Sequence, residues 1–149
     1  MKEMREKEGL KTKAILKQGI GELLGFVQKL EKLAPEQPKR IQEKLKSRIQ
    51  QWSLPGQVDP QRLELEVAFY SEKADVAEEL ARLTAHAKSF LDLLETKQGV
   101  GRRLDFLTQE LNREVNTLSS KASILEMTQL AVEIKTTIEK LRERVQNVE

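Results

Sequence analysis

The sequence predicts an all-α protein of long antiparallel helices that form an extended helical hairpin or bundle. Composition is the first observation behind this: of 149 residues, 34% are charged and only 4% aromatic, a balance that suits helices and leaves little material for a sheet. Apolar spacing is the second, because hydrophobic residues recur at steps of three and four through most of the chain, as on a helix face buried against a neighbour. Punctuation is the third. Pro35, Pro38, the SLPGQVD stretch and KQGVG leave long segments joined by short links, and short links make antiparallel neighbours.

The first predicted helix runs from about Lys2 to Leu33, with Leu16, Ile20, Leu23, Val27 and Leu30 as a seam for another helix. Gly19, Gly21 and Gly25 each cost about 1 kcal/mol relative to Ala inside a helix, so this segment is expected to bend or to lean on a partner. Pro35 and Pro38 end it, and a short second helix carries Ile41, Leu45, Ile49 and Trp52 on one face before SLPGQVD turns the chain. Asp59 and Pro60 then supply a capping side chain and a fixed φ at a helix start. The third predicted helix extends to about Glu95, on the order of 54 Å. It has two seams, one of Leu63, Val67, Tyr70, Ala74, Ala77 and Ala81, the other of Leu65, Phe69, Val76, Leu80, Leu83 and Ala87. Between them fall Arg62, Glu66 and Lys73, charges that are costly among apolar neighbours unless paired; they are expected to neutralise one another or to face a second chain. KQGVG precedes a fourth helix over 99–121. Ser123 with Glu126 forms a capping box for a last helix whose seam is Met127, Leu130, Ile134, Ile138, Leu141, Val145 and Val148. Length fits one domain, 1–149, with an N-terminal helical arm over 1–58 and a C-terminal helical region over 59–149.

The fourth predicted helix concentrates specific polar groups. At about 100° per residue, Leu104, Leu107, Leu111, Val115 and Leu118 form its apolar stripe. Asp105, Gln109, Asn112 and Asn116 lie to one side, and Arg103, Glu110, Glu114, Thr117 and Lys121 form a third stripe. Asn is a poorer helix former than the Lys and Glu of an ordinary solvated face, so Asn112 and Asn116 read as recruited for hydrogen bonding, either to fix the register of a bundle seam or to serve a site. On the third helix Asp75, Glu79, Arg82 and His86 share a face. His86 is the single histidine, the side chain that titrates near neutral pH without help. With Arg82 one turn away and Glu79 two, the face could combine proton transfer, phosphate contact and divalent metal ligation, or be a salt-bridged surface.

Several chemistries lack their residues. Without cysteine there is no disulfide, thiolate metal site or Cys nucleophile. There is no phosphate-cradling glycine loop, dinucleotide fingerprint or helical histidine pair for zinc, and no nucleophile elbow. The N-terminus lacks the apolar segment of a signal peptide, and no apolar run approaches the ~20 residues of a membrane span, so a protein of the cytoplasm is expected, with no membrane partner and no small-molecule cofactor. Residues 1 to 50 hold thirteen Lys and Arg against seven Glu, and residues 51 to 149 hold thirteen against seventeen acids. A basic half joined to an acidic half suits a polyanion held on one side and a carboxylate or metal site on the other, as well as ordinary solvated faces.

GRRLDFLTQELNREVNTLSSKA and the terminal VEIKTTIEKLRERVQNVE closely resemble the C-terminal region of the YicC family of bacterial endoribonucleases. MREKEG near the start and RLELEVAFYSEKADVAEELARLTAHAKSFLDLL match that family in the same order. Its members are longer, with a mixed α/β domain before this region, so the chain corresponds to their helical half. The resemblance implies cleavage of RNA phosphodiester bonds assisted by a divalent metal, manganese or magnesium, in a homo-oligomer that closes around RNA. It places motif positions on Arg62, Glu66, Asp75, Glu78, Glu79, Arg82 and His86, and on Gly101, Arg102, Asp105, Gln109, Asn112, Arg113, Glu114, Asn116 and Lys121. The roles expected from it are proton transfer by His86, and catalysis by Asp75, Glu79, Asp105 and Glu114, of which Asp75, Glu79 and Asp105 hold metal. RNA contacts are expected from Arg82, Arg102, Arg103, Asn112, Arg113, Asn116 and Lys121. The alternative is a non-catalytic helical module for oligomerisation and RNA binding. The face of Asp75, Glu79, Arg82 and His86 is expected to meet the Asp105, Gln109, Asn112 and Asn116 stripe across an antiparallel hairpin, with His86 level with the early turns of the fourth helix.

Overall fold

Four of the predicted seams meet in one core. A computed structural model describes residues 2–52, 56, 59–96 and 99–147, with side chains from Lys7 onward except that of Trp52. It forms α1 (Lys2–Leu33), α2 (Glu36–Trp52), α3 (Pro60–Lys73), α4 (Ala77–Leu94), α5 (Gly101–Lys121) and α6 (Leu125–Val145), with no strand among the described residues. The seams of α1 (Leu16, Ile20, Leu23, Val27, Leu30) and α5 (Leu104, Leu107, Leu111, Val115, Leu118) are buried throughout, as are Val76, Leu80, Leu83, Ala87, Phe90 and Leu94 around α4. On α6, Met127, Ile134, Ile138, Leu141 and Val145 are buried, and Leu130 packs at the edge. Steps of three and four on every member are the pattern of coiled-coil-like packing in a four-helix bundle.

The ring order is α1, α4, α5, α6, each helix touching the next and α6 closing on α1. Neighbours are antiparallel: Lys13 and Lys17 early in α1 pair with Glu95 just past α4, and Lys121 at the end of α5 pairs with Glu79 at the start of α4. Gly19 of α1 faces Leu141 of α6, so closely that an added Cβ would stand 2.8 Å from Leu141 Cδ2. α1 is one unbroken helix across Gly19, Gly21 and Gly25. Gly99, at φ +68, turns the chain from α4 into α5.

The expected third helix is two. Ala74, Asp75 and Val76 interrupt it, leaving α3 and α4 about 21 and 27 Å long. The break separates the two seams. On α3, half-buried Leu63 and Val67 pack toward α2, while Leu65 and Phe69 stay exposed; on α4, the Val76, Leu80, Leu83 and Ala87 seam enters the bundle. Asp75 Oδ1 accepts from Ala77 N–H at 2.9 Å, and the carbonyls freed at the break are bonded from afar, that of Ala74 by Gln37 Nε2 at 2.6 Å and that of Asp75 by Lys121 Nζ at 3.2 Å. No Pro or Gly marks the spot, but Asp75 followed three residues later by Glu78 is a helix-start pattern. The hairpin of α2 and α3 is thus inserted between α1 and α4 at one end of the bundle.

Asp59 caps α3 as expected, accepting from Gln61 N–H at 3.0 Å with Pro60 at the first turn. The capping box at Ser123 does not form. Ser123 N–H and Oγ both donate to Gln37 Oε1, at 2.7 and 3.0 Å, and the Glu126 carboxylate lies 3.8 Å from Arg40; a side chain 86 residues away takes the donor that Glu126 would have capped. The expected placement of Trp52, most of the SLPGQVD turn, residues 97 and 98 of the link before α5, and Val148 lie outside the described residues.

Candidate active site

α4 and α5 are antiparallel neighbours, so the flank of α4 that carries Glu79, Arg82 and His86 at steps of three and four lies along the flank of α5 that carries Lys121, Glu114 and Glu110. His86 and Glu110 are half-buried and Glu114 is only 7% exposed, and one ligand atom from each lies within 4.8 Å of those of the other two. Arg82 Nη1 stands 3.7 Å from Glu114 Oε1, beyond hydrogen-bond distance, and Arg82 Nη2 is 3.6 Å from Glu78. Two turns along, Lys121 Nζ meets Glu79 Oε1 at 2.7 Å. Glu79 is 3% exposed and its Oε2 has no hydrogen-bond partner among the described residues.

The α4–α5 hairpin is therefore antiparallel, but the stripe facing His86 is that of Glu110, Glu114 and Lys121, and His86 is level with the middle of α5 rather than its early turns. The Asp105, Gln109, Asn112 and Asn116 stripe lies on the other side of the buried Leu104–Leu118 seam, since Asp105 and Glu114 are about 180° apart on the wheel. Burial of the seam fixes this: only one flank of α5 can face α4.

Asp75, Glu79 and Asp105 do not share a site. Asp75 Oδ1 is held by Ala77 N–H, Glu79 by Lys121, and Asp105 Oδ2 by Gln109 Nε2 at 3.0 Å. Asp105 lies sixteen positions before Lys121, about 24 Å along the helix. Arg102 and Arg103 are exposed beside a cleft of about 600 Å³, against Asp92, Leu93 and Phe106 at the other end of the hairpin. Arg113 and Asn116 are exposed and Asn112 is half-buried. The structure thus gathers Glu79, Arg82, His86, Glu114 and Lys121 along one groove and leaves Asp105, Arg102, Arg113, Asn112 and Asn116 away from it. Glu110 was legible in the sequence as a carboxylate one turn before Glu114, a pairing that points both side chains the same way.

The residues fit a divalent ion. Donors around manganese or magnesium at about 2.1 Å stand at most about 4.2 Å apart, so small side-chain rotations would bring these three to one centre. An up-down bundle that sets an imidazole and two carboxylates on facing helices belongs to the class of all-α proteins that build sites between helices from inward polar side chains. The family described as "Endoribonuclease YicC-like, C-terminal" matches residues 30–149. A probable endoribonuclease YicC of Clostridioides difficile (strain 630) is 36% identical over 150 residues, covering 100% of this chain and 51% of that protein. Another, from Haemophilus influenzae (strain ATCC 51907 / DSM 11121 / KW20 / Rd), is 40% identical over 146 residues, covering 98% and 50%. The chain belongs to the YicC-like family, in its C-terminal region. It spans about half the length of these curated relatives.

Proposed function

We propose that the chain is the helical part of an endoribonuclease that cleaves RNA phosphodiester bonds in the cytoplasm, at the α4–α5 groove, with a divalent cation held by His86, Glu110 and Glu114. The observation that carries this reading is the convergence of those three donors within 4.8 Å, in a chain whose relatives are named probable endoribonucleases. Manganese or magnesium bound there would polarise a phosphoryl oxygen and stabilise negative charge as it develops. His86 would supply the neutral donor. Glu110 and Glu114 supply the charge. Arg82, suspended between Glu78 and Glu114 at long range, is free to turn onto a phosphate, where its planar fork binds two oxygens. Lys121 stays on Glu79 and holds the groove together.

The test is cleavage of a structured RNA with and without manganese, beside calorimetric titration of manganese into the RNA-free protein. His86→Ala and Glu114→Gln are expected to lose cation binding and to lose cleavage by more than roughly a hundredfold, beyond the cost of losing an outer partner, with helicity unchanged. Full cleavage in both variants would sink the reading. Lost cleavage with intact manganese binding would return His86 to proton transfer.

A second reading, the assembly module, is favoured by α3, which buries no residue and presents Leu65 at 72% and Phe69 at 51% exposure beside Arg62 and Glu66. Lys73 Nζ lies 4.4 Å above the Phe69 ring, shielding part of it. A homo-oligomer joined through this face would cover it, and light scattering of Phe69→Ser against the unaltered chain reads that directly.

A further inference from the structure

The hairpin of α2 and α3 stands off the end of the bundle where α5 gives way to α6, and a cleft of about 600 Å³ runs between them. Its walls carry Lys44 and Arg48, one turn apart on α2, Lys73 on α3 and Lys121 on α5, with no carboxylate among the lining residues. Among the described residues, Lys44, Arg48 and Lys73 form no ion pair. Lys121 is answered by Glu79, and the three remaining cations raise a positive field within a concave site. The cleft also has an aromatic wall. Tyr70 lines it, 46% exposed, and is held edge-on against Phe69 with ring centroids 5.8 Å apart.

We infer that this cleft binds single-stranded RNA, with phosphates on Lys44, Arg48 and Lys73 and a base stacked on the Tyr70 ring. The chemistry selects that occupant. Unpaired lysines and an arginine on a groove wall answer a phosphate backbone, and an exposed aromatic face takes an unstacked base, which a single strand offers and a duplex does not. A phosphorylated peptide would use the cations and leave the ring idle. The position selects it as well, and here the inference rests on the endoribonuclease reading: Lys121 lines the cleft and ends the α4–α5 groove, and Glu114 lies seven residues back along α5, about 10 Å. A strand held in the cleft would therefore lead into the site of His86, Glu110 and Glu114. None of Lys44, Arg48, Tyr70 and Lys73 belongs to that site.

The experiment is fluorescence anisotropy with a labelled single-stranded RNA of mixed sequence in EDTA, so that binding is read without cleavage, across a salt series. Lys44→Ala/Arg48→Ala is expected to weaken binding by about tenfold or more and to flatten the salt dependence by about 1.4 in log–log slope, two phosphate contacts on a single strand. Tyr70→Leu is expected to weaken binding by roughly tenfold with the slope unchanged, because stacking releases no counterion. Lys140→Ala/Arg142→Ala, which removes the same charge from α6, is the control for a general electrostatic effect. Unaltered affinity in the cleft variants overturns the proposal, as does a loss of equal size in the α6 control. Heparin or duplex RNA binding as tightly as the single strand, and indifferent to Tyr70→Leu, overturns it too by reducing the cleft to an anion patch. If the cleft variants bind and cleave as the unaltered chain does while His86→Ala is inactive, the cleft falls and the active-site reading stands. Weakened binding in the cleft variants alongside cleavage indifferent to His86→Ala gives the reverse.

Discussion

Gln37 shows what one buried amide can hold together. It is 2% exposed, and it donates to the Ala74 carbonyl while accepting from Ser123 N–H and Oγ. Three joints of the fold, between α1 and α2, between α3 and α4, and between α5 and α6, thus meet on one side chain. Gln37→Leu would leave a peptide N–H and a carbonyl without partners, and a cost of roughly 2 kcal/mol is expected, read as a lower urea midpoint at unchanged slope. Such a residue is silent in a sequence: it sits beside Pro38 among polar neighbours, with no periodicity to mark it as interior. Glu79 is similar. The wheel placed it on an open polar face, and its burial follows from Lys121, 42 residues later, reaching across to it.

At the scale of elements, the helices of the bundle were legible because each needs only a stripe of Leu, Ile and Val at helical spacing to be buried by any suitable neighbour. The division of the 59–95 segment was less so. Both of its seams are continuous on paper, and the break becomes favourable once α2 is there to pair with α3 and Gln37 and Lys121 are there to bond the freed carbonyls. The glycines of α1 also part company by environment. Gly21 is exposed with nothing within 4 Å of an added Cβ, whereas one at Gly19 would strike Leu141. Gly21→Ala is expected to raise stability by about 0.5–1 kcal/mol. Gly19→Ala is expected to gain less or to destabilise, since Leu141 is itself buried and must give way. Thermal melts of the two variants in parallel would check this, and equal gains would contradict the close contact of α1 with α6.

For the whole molecule, the end of the bundle opposite the α2–α3 hairpin is tied by Glu95, whose carboxyl is held below the usual carboxylate range by hydrogen bonds from Lys17 and Lys13 and by their charges. A depressed folded-state pKa contributes stability above the unfolded value and loses it as pH falls through the folded one. Glu95→Gln is accordingly expected to lower the melting temperature at neutral pH and to converge with the unaltered chain in acid; a difference that persists in acid would argue against the ion pairs. The candidate site divides along the same line as the fold. Residue types, the antiparallel α4–α5 hairpin and the shared face of Arg82 and His86 could be read from spacing; Glu114 and Lys121 entered through the family resemblance, on a stripe other than the one expected to meet His86. The company of these groups could not be read that way: Asp75 turned its carboxylate onto Ala77 N–H just ahead of α4, Asp105 fell on the far flank of α5, and Glu110 took its place beside His86. Apolar periodicity is a local property, so the chain's own order of residues sufficed for the all-α class, the four buried seams and their antiparallel sense. Which flank of a seam looks at which neighbour depends on the order of helices around the ring and on partners tens of residues away. Long-range packing therefore settled the helix break, the buried Glu79–Lys121 pair, the convergence on His86 and the basic cleft beneath the hairpin.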